Sequence, residues 1–92
     1  MDPVPFQWDR SKAGENVRKH GVDLADAVGV FEDPHAVTID DPHPDEQRFV
    51  TVGMDPQARI LVISWAARNE AIRLISARKA TPQERHQYQK EK

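Results

Sequence analysis

No cysteine occurs among the 92 residues. Disulfides and thiolate-based sites are therefore excluded, and a reducing cytoplasm is the expected setting. Long apolar runs are missing too: none approaches the roughly 20 residues of a membrane span, and no signal-peptide pattern opens the chain. The four glycines form no Gly-rich phosphate loop, and no Ser-His-Asp order suggests a hydrolytic triad. Nor is there a large excess of either charge. The net charge of −2 argues against tight non-specific binding to long nucleic acid. No repeat, low-complexity segment or second domain interrupts residues 1–92, so one small domain with a modest core is expected.

The charge that is present is unevenly spread. Residues 1–56 hold 5 Lys/Arg against 12 Asp/Glu, and residues 57–92 hold 8 against 3, which leaves −7 and +5 on the two parts. One meaning is a charged partner for one part: nucleic acid for the basic one, a basic protein for the acidic one. The other is mutual neutralisation across a single fold.

Val4 to Trp8 alternates weakly and reads as a short strand, placed at an edge by Pro5. Asp9 caps a helix over about residues 10–20, with Ala13, Val17 and His20 on one face and Gly21 at the left-handed C-terminal position. Asp23 opens a second short helix with Leu24, Ala27, Val28 and Phe31 facing inward, and Asp33-Pro34 ends it. Strands follow over 36–40, 48–54, 59–66 and 71–78. They are separated by an acidic, proline-broken loop at 41–47 and by turns at 55–58 and 68–70. Connections this short imply an antiparallel meander. Thr81, Pro82 and Glu84 then form a capping box for a last helix that runs to about Lys90. The expected fold class is α+β: an antiparallel four- to five-stranded sheet, two N-terminal helices and one C-terminal helix. The helices should cover one face and leave the other partly open.

The stretch from Ile72 to Arg85 joins an arginine-studded apolar strand directly to this helix start. Isolated arginines on such a strand are costly to bury unless paired. Gathered at a strand end, they suit phosphate, because guanidinium groups fork onto phosphate oxygens. Together with Phe6-Gln7-Trp8-Asp9, Asn16-Val17-Arg18-Lys19-His20-Gly21-Val22 and Val30-Phe31-Glu32-Asp33-Pro34, the stretch resembles the BrnT family of bacterial type II toxins over about residues 6 to 88. The resemblance implies a RelE-like ribonuclease fold and toxicity through RNA cleavage. It further implies a BrnA-like antitoxin with a ribbon-helix-helix part, operator DNA bound only through that antitoxin, and a higher-order toxin–antitoxin complex. The chain departs from the family's pattern in two places. Gln47 stands before Arg48 where relatives often carry Glu, and Ala66-Ala67 stands where they often carry Thr-Glu.

Cleaving RNA without a metal requires a base for the 2′-hydroxyl, an acid for the leaving oxygen and cations for the phosphorane charge. Arg48, Arg59, Arg73 and Arg78 all sit at strand positions or strand ends. On the last strand, alternation places Ile72, Leu74 and Ser76 on one face and Arg73, Ile75 and Ala77 on the other. If the first set packs under the helices, Arg73 points to the open face, and Arg78 can turn toward the same region. These arginines either cradle phosphate or snorkel at a sheet rim and pair with the acidic part. His20 is the titrating candidate, with capping of the first helix as its alternative. Glu46, close to Arg48, is the second candidate, with a solvated loop acid as its alternative. Lys12, Lys19, Arg59, Arg68, Lys79 and Arg85 would contact the RNA backbone. His35 and His43 each follow an Asp-Pro pair, but the spacing matches no metal motif, and neither metal nor cofactor is expected. Trp8 and Trp65 supply apolar area to a small core; Trp65 could alternatively stack a base. A reading from another class stays open: a non-catalytic toxin-fold protein that acts as a binding partner or co-repressor. The two departures favour it, and the arginines favour the enzyme.

Overall fold

The computed structural model describes residues 5–90, as β1 (Phe6–Gln7), α1 (Arg10–His20), α2 (Leu24–Ala27), a 3₁₀ turn (Val28–Glu32), β2 (Val37–Asp40), β3 (Gln47–Met54), β4 (Ile60–Arg68), β5 (Ala71–Lys79) and α3 (Pro82–Lys90). Val4, the expected start of the first strand, lies outside the described residues. The caps are those the sequence indicates. The Asp9 carboxylate accepts from the N–H groups of Ser11 (2.8 Å) and Lys12 (3.2 Å), and Gly21, at φ 68°, donates its N–H to Val17 O. Asp23 caps α2. The expected second helix is only one turn long, however, and tightens into the 3₁₀ turn. That turn brings Gly29 against Pro56, where a Cβ would lie 2.5 Å from the ring.

The sheet order is β1-β5-β4-β3-β2. Strands β2 to β5 form the expected antiparallel meander, but β1 pairs parallel to β5, with Phe6 beside Ile72 and Gln7 beside Arg73, so the sheet is mixed. No hairpin joins β1 to β5. The two helices and three strands lie between them in sequence, so the antiparallel rule for short loops does not apply to this pair.

Both faces of the sheet are covered, which corrects the expectation of helices on one face. Val22, Leu24, Ala27 and Val30 pack on Leu61, Ile63, Leu74 and Ala77. On the second face Ile60 and Val62 meet Ala80 and Tyr88, with Val50, Val52 and Met54 alongside. The cause is in β4: Leu61 and Ile63 point one way, Ile60 and Val62 the other, so a two-sided apolar strand requires two covers. α3 supplies the second cover over part of that face. Asp33 fastens it, accepting from the Tyr88 hydroxyl, from Met54 N and from His35 N. Burial raises the Asp33 pKa, but these hydrogen bonds outweigh it and leave the carboxyl below its ordinary value. Burial and the Asp33 contact push the Tyr88 phenol up to about 12.

β5 contains a bulge. Ser64 pairs with Ser76 and Trp65 with Leu74, which leaves Ile75 as the extra residue. Strict alternation therefore fails after Leu74. Ala77, expected beside Arg73, instead joins Leu74 in the helix-covered core. Ser76 moves the other way, and Arg78, paired with Val62, is delivered to the second face. Beyond β1, β5 has a free edge, and Asn16 closes it. Its amide donates to Ala77 O and Val22 O, both at 2.8 Å, and its carbonyl accepts from Ala77 N at 3.1 Å. A side chain thereby stands in for the missing neighbouring strand.

Candidate functional site

Three strands set Arg48, Ala66 and Arg73 in one row of the second face: Arg48 pairs with Ala66, and Ala66 with Arg73. Residues paired across strands share a face. The two arginine backbones stand about 10 Å apart, two strand spacings. Between them Ala66, buried at 1 % exposure, contributes only a methyl, so the arms flank a shallow floor. The next row is Val50, Ser64 and Ser76; the one after it is Val52, Val62 and Arg78. Arg78 is thus about 13 Å along the sheet from Arg73, four residues of β4.

These arginines differ in what already holds them. Arg78 is gripped by Glu84 of α3 through Nη1–Oε1 at 2.7 Å and Nη2–Oε2 at 3.0 Å. Glu84 also accepts from Thr81 N at 2.8 Å and donates its own N–H to Thr81 Oγ1, which completes the expected capping box. The Arg78 hydrogen bond and the Thr81 N–H hold the Glu84 carboxyl down at about 2. Arg48 is held only through Nε, 2.8 Å from Glu46 Oε1, so its terminal nitrogens carry no hydrogen bond among the described residues. The guanidinium of Arg73 has no hydrogen bond or ion pair among the described residues.

The β2–β3 loop adds an open cleft of about 330 Å³ beside Arg48, lined in part by Asp40, Asp41, His43, Glu46 and Phe49. Glu46 bridges two cations, since its second oxygen lies 3.5 Å from Arg68 Nη2. Its hydrogen bond to Arg48 holds its carboxyl below the ordinary value, with the Arg48, Arg68 and His43 charges assisting. A carboxylate so stabilised is a weak base and a good anchor. Phe49 stacks on Trp65 at 4.5 Å between ring centres, and Trp65 donates its indole N–H to Thr51. Trp65 is therefore committed to the core.

The remaining sequence candidates scatter. His20 ends α1, which packs against the other face of the sheet; with Lys12 and Lys19 it lines a small hollow next to Ile75 and Ser76. Arg59 sits before β4, about 30 Å from Arg68, which ends that strand beside Glu46 and so stays at the site. Arg59 is bound to the buried Asp55: Nε lies 2.9 Å from Oδ2, and Nη2 is 2.8 Å from the same oxygen but off the line of a hydrogen bond. Lys79 is exposed at the end of β5, and Arg85 donates to Ala80 O at 3.2 Å. His43, which the sequence marks only by its Asp-Pro spacing, is brought by the fold into the cleft with Glu46 and Arg48. Asp45 N donates to its Nδ1 at 3.2 Å. The signal available in the sequence was a titrating residue five positions before Arg48, on the loop that already held Glu46.

Comparison with known proteins gives first the class, a toxin of a type II toxin–antitoxin system. The family model described as the ribonuclease toxin BrnT of such systems matches residues 8–84, and the chain belongs to that family. Among solved structures, the 1.1 Å crystal structure of the Brucella abortus ribonuclease toxin BrnT aligns with 86 % of this chain and 99 % of its own, at a TM-score of 0.65 and 23 % identity. That likeness is one of fold, a mixed sheet with three helices. No curated protein matches the sequence significantly. Among the described residues no helix is long and apolar enough to cross a membrane.

Proposed function

We propose that this BrnT-family chain is a metal-independent endoribonuclease that grips the scissile phosphate between Arg48 and Arg73. The observation that carries this reading is the row Arg48–Ala66–Arg73, in which two guanidinium groups keep uncommitted nitrogens on either side of a methyl-sized floor. As the 2′-oxygen attacks, charge builds on the phosphoryl oxygens. Donors fixed beforehand stabilise that charge more than they stabilise the ground state. Glu46 fixes Arg48 through Nε and leaves its outer nitrogens for phosphate. On this reading the sheet works as in the RelE-like ribonucleases, largely by cationic stabilisation and positioning. The partner is a BrnA-like ribbon-helix-helix antitoxin, which alone brings the complex to operator DNA.

The co-repressor reading rested on the family glutamates missing at Gln47 and Ala67. These positions pair with each other across β3 and β4, on the face opposite Arg48 and Arg73. Gln47 also lines the β2–β3 cleft, but the loss leaves the arginine row itself unchanged, and that row favours the enzyme. The test is RNA cleavage by purified protein in excess EDTA. Wild type should cleave, and Arg73→Ala should be slower by roughly 10²-fold, the scale of one lost transition-state contact, with its circular dichroism unchanged. Equal rates in the two proteins would move the phosphate site elsewhere, and activity restored only by a divalent ion would replace the metal-free mechanism.

A further inference from the structure

The arginine row stabilises charge but moves no proton, and Glu46 is too strongly held by Arg48 and Arg68 to be a good base. One histidine shares the cleft beside Arg48. Of the described histidines, His43 alone lines the cleft that holds Arg48. His20 belongs to a helix on the other face, His35 is part of the Asp33 turn, and His86 lies on α3. His43 is half-buried, and the Asp45 N–H fixes its ring through Nδ1. That contact orients the imidazole and leaves Nε2 as the free, proton-bearing nitrogen. The 3.2 Å hydrogen bond is long and exposed; in the imidazolium form both ring nitrogens are donors, so Nδ1–H exchanges this contact for one to solvent.

Building on the ribonuclease reading, we propose that His43 is the proton donor to the leaving oxygen, acting in the β2–β3 cleft beside Arg48. The 2′-oxygen forms its bond to phosphorus and the P–O5′ bond breaks. The imidazolium of His43 gives its Nε2 proton to O5′, and the 2′-hydroxyl proton passes to solvent water. The products are a 2′,3′-cyclic phosphate and a 5′-hydroxyl. Asp40, Asp41 and Glu46 also line the cleft, and Arg48 is the cation on its wall. The substrate is thus held by the phosphate contact, while the histidine meets the departing nucleotide.

The test compares two oligoribonucleotides, one all-oxygen and one with a 5′-bridging sulfur at the bond that wild type cuts. A thiolate leaves without a proton. His43→Ala should slow cleavage of the oxygen substrate by about 10²-fold or more, the usual contribution of a positioned acid. It should cut the sulfur substrate at close to the wild-type rate, and added imidazole should restore part of the lost activity. A variant as fast as wild type on oxygen, or equally slow on both substrates, would overturn the proton-donor role. Wild-type protein inert toward both RNAs would instead overturn the ribonuclease reading, and this inference with it. A His43→Gln variant and a thermal melt check that the loop change leaves the fold intact.

Discussion

Arg78 and Glu84 hold each other through two hydrogen bonds, at 2.7 and 3.0 Å, and so clamp the end of β5 to the first turn of α3. The pair joins the sheet to the helix that covers its second face. Arg78 thus shares a face with Arg73 but has a different commitment, and the two arginines should respond differently to substitution.

Glu84→Gln and Arg78→Ala should each lower stability by only about 1 kcal/mol, because solvent screens both partly exposed side chains. The Glu84 pKa is depressed to about 2 in the folded chain. Its contribution is therefore present above the unfolded value near 4.5 and is lost as pH falls toward 2. Thermal melts at pH 7 and pH 3 should show wild type losing more stability than Glu84→Gln. Parallel losses in both proteins would mean the pair does not couple α3 to the sheet.

Asn16→Leu should destabilise the fold by roughly 2–4 kcal/mol. It would strip the partners from Ala77 N and Ala77 O at the β5 edge and from Val22 O in the α1–α2 connection, all buried. Urea titration would register the change. A variant within 0.5 kcal/mol of wild type, roughly the scatter of a neutral surface substitution, would show that water replaces the amide.

Two backbone positions give opposite outcomes. Ala58 sits at φ 63° in the turn before β4, a conformation that costs an alanine about 1–2 kcal/mol. Ala58→Gly should therefore be stabilising by about 0.5 kcal/mol after the entropic cost of glycine. Gly29→Ala should be destabilising by about 1–3 kcal/mol, because the new Cβ would strike the Pro56 ring at 2.5 Å. Differential scanning calorimetry should place the two melting points on either side of wild type.

An antitoxin that silences this chain by direct occlusion should cover Arg48 and Arg73, and it would bring acidic and apolar residues to do so. Hydrogen exchange in the complex should show added protection at the Arg48 end of β3 and the Arg73 end of β5, across an interface of about 1,000 Å² or more per partner. Protection confined to residues 5–40 would mean inhibition at a distance.

Local signals in the sequence reported local structure well. Asp9, Gly21, Asp23 and the Thr81–Glu84 box mark helix ends by chemistry contained within a few residues, and each cap forms. The meander followed from its short loops. The parallel β1 did not, because nothing near Phe6 encodes a partner that lies 66 residues on, at Ile72. The second helical cover was latent in β4, whose consecutive apolar residues permit burial on both sides. Among the candidate residues, the arginines announced themselves by charge on an apolar strand. What sequence could not supply was their bookkeeping of partners: Arg59 and Arg78 are taken up by acids four and six residues away, while Arg73 is left open. In the sequence His43 stands out only by its Asp-Pro spacing, because a loop histidine acquires its neighbours only from what the loop folds against.

The single extra residue at Ile75 has a consequence for how relatives of this chain are compared. A strand sorts its side chains by odd and even position, and one inserted residue inverts that sorting from there onward. Removing Ile75 would keep every arginine in the text of the sequence, yet it would turn Arg78 toward the core of Leu61 and Ile63 and Ala77 toward the face that α3 covers, and Glu84 would lose its partner. A relative that lacks this residue could match at each downstream letter while presenting the reverse side of its strand. Alignment columns past Leu74 are equivalent in space only where the parity of β5 is also shared.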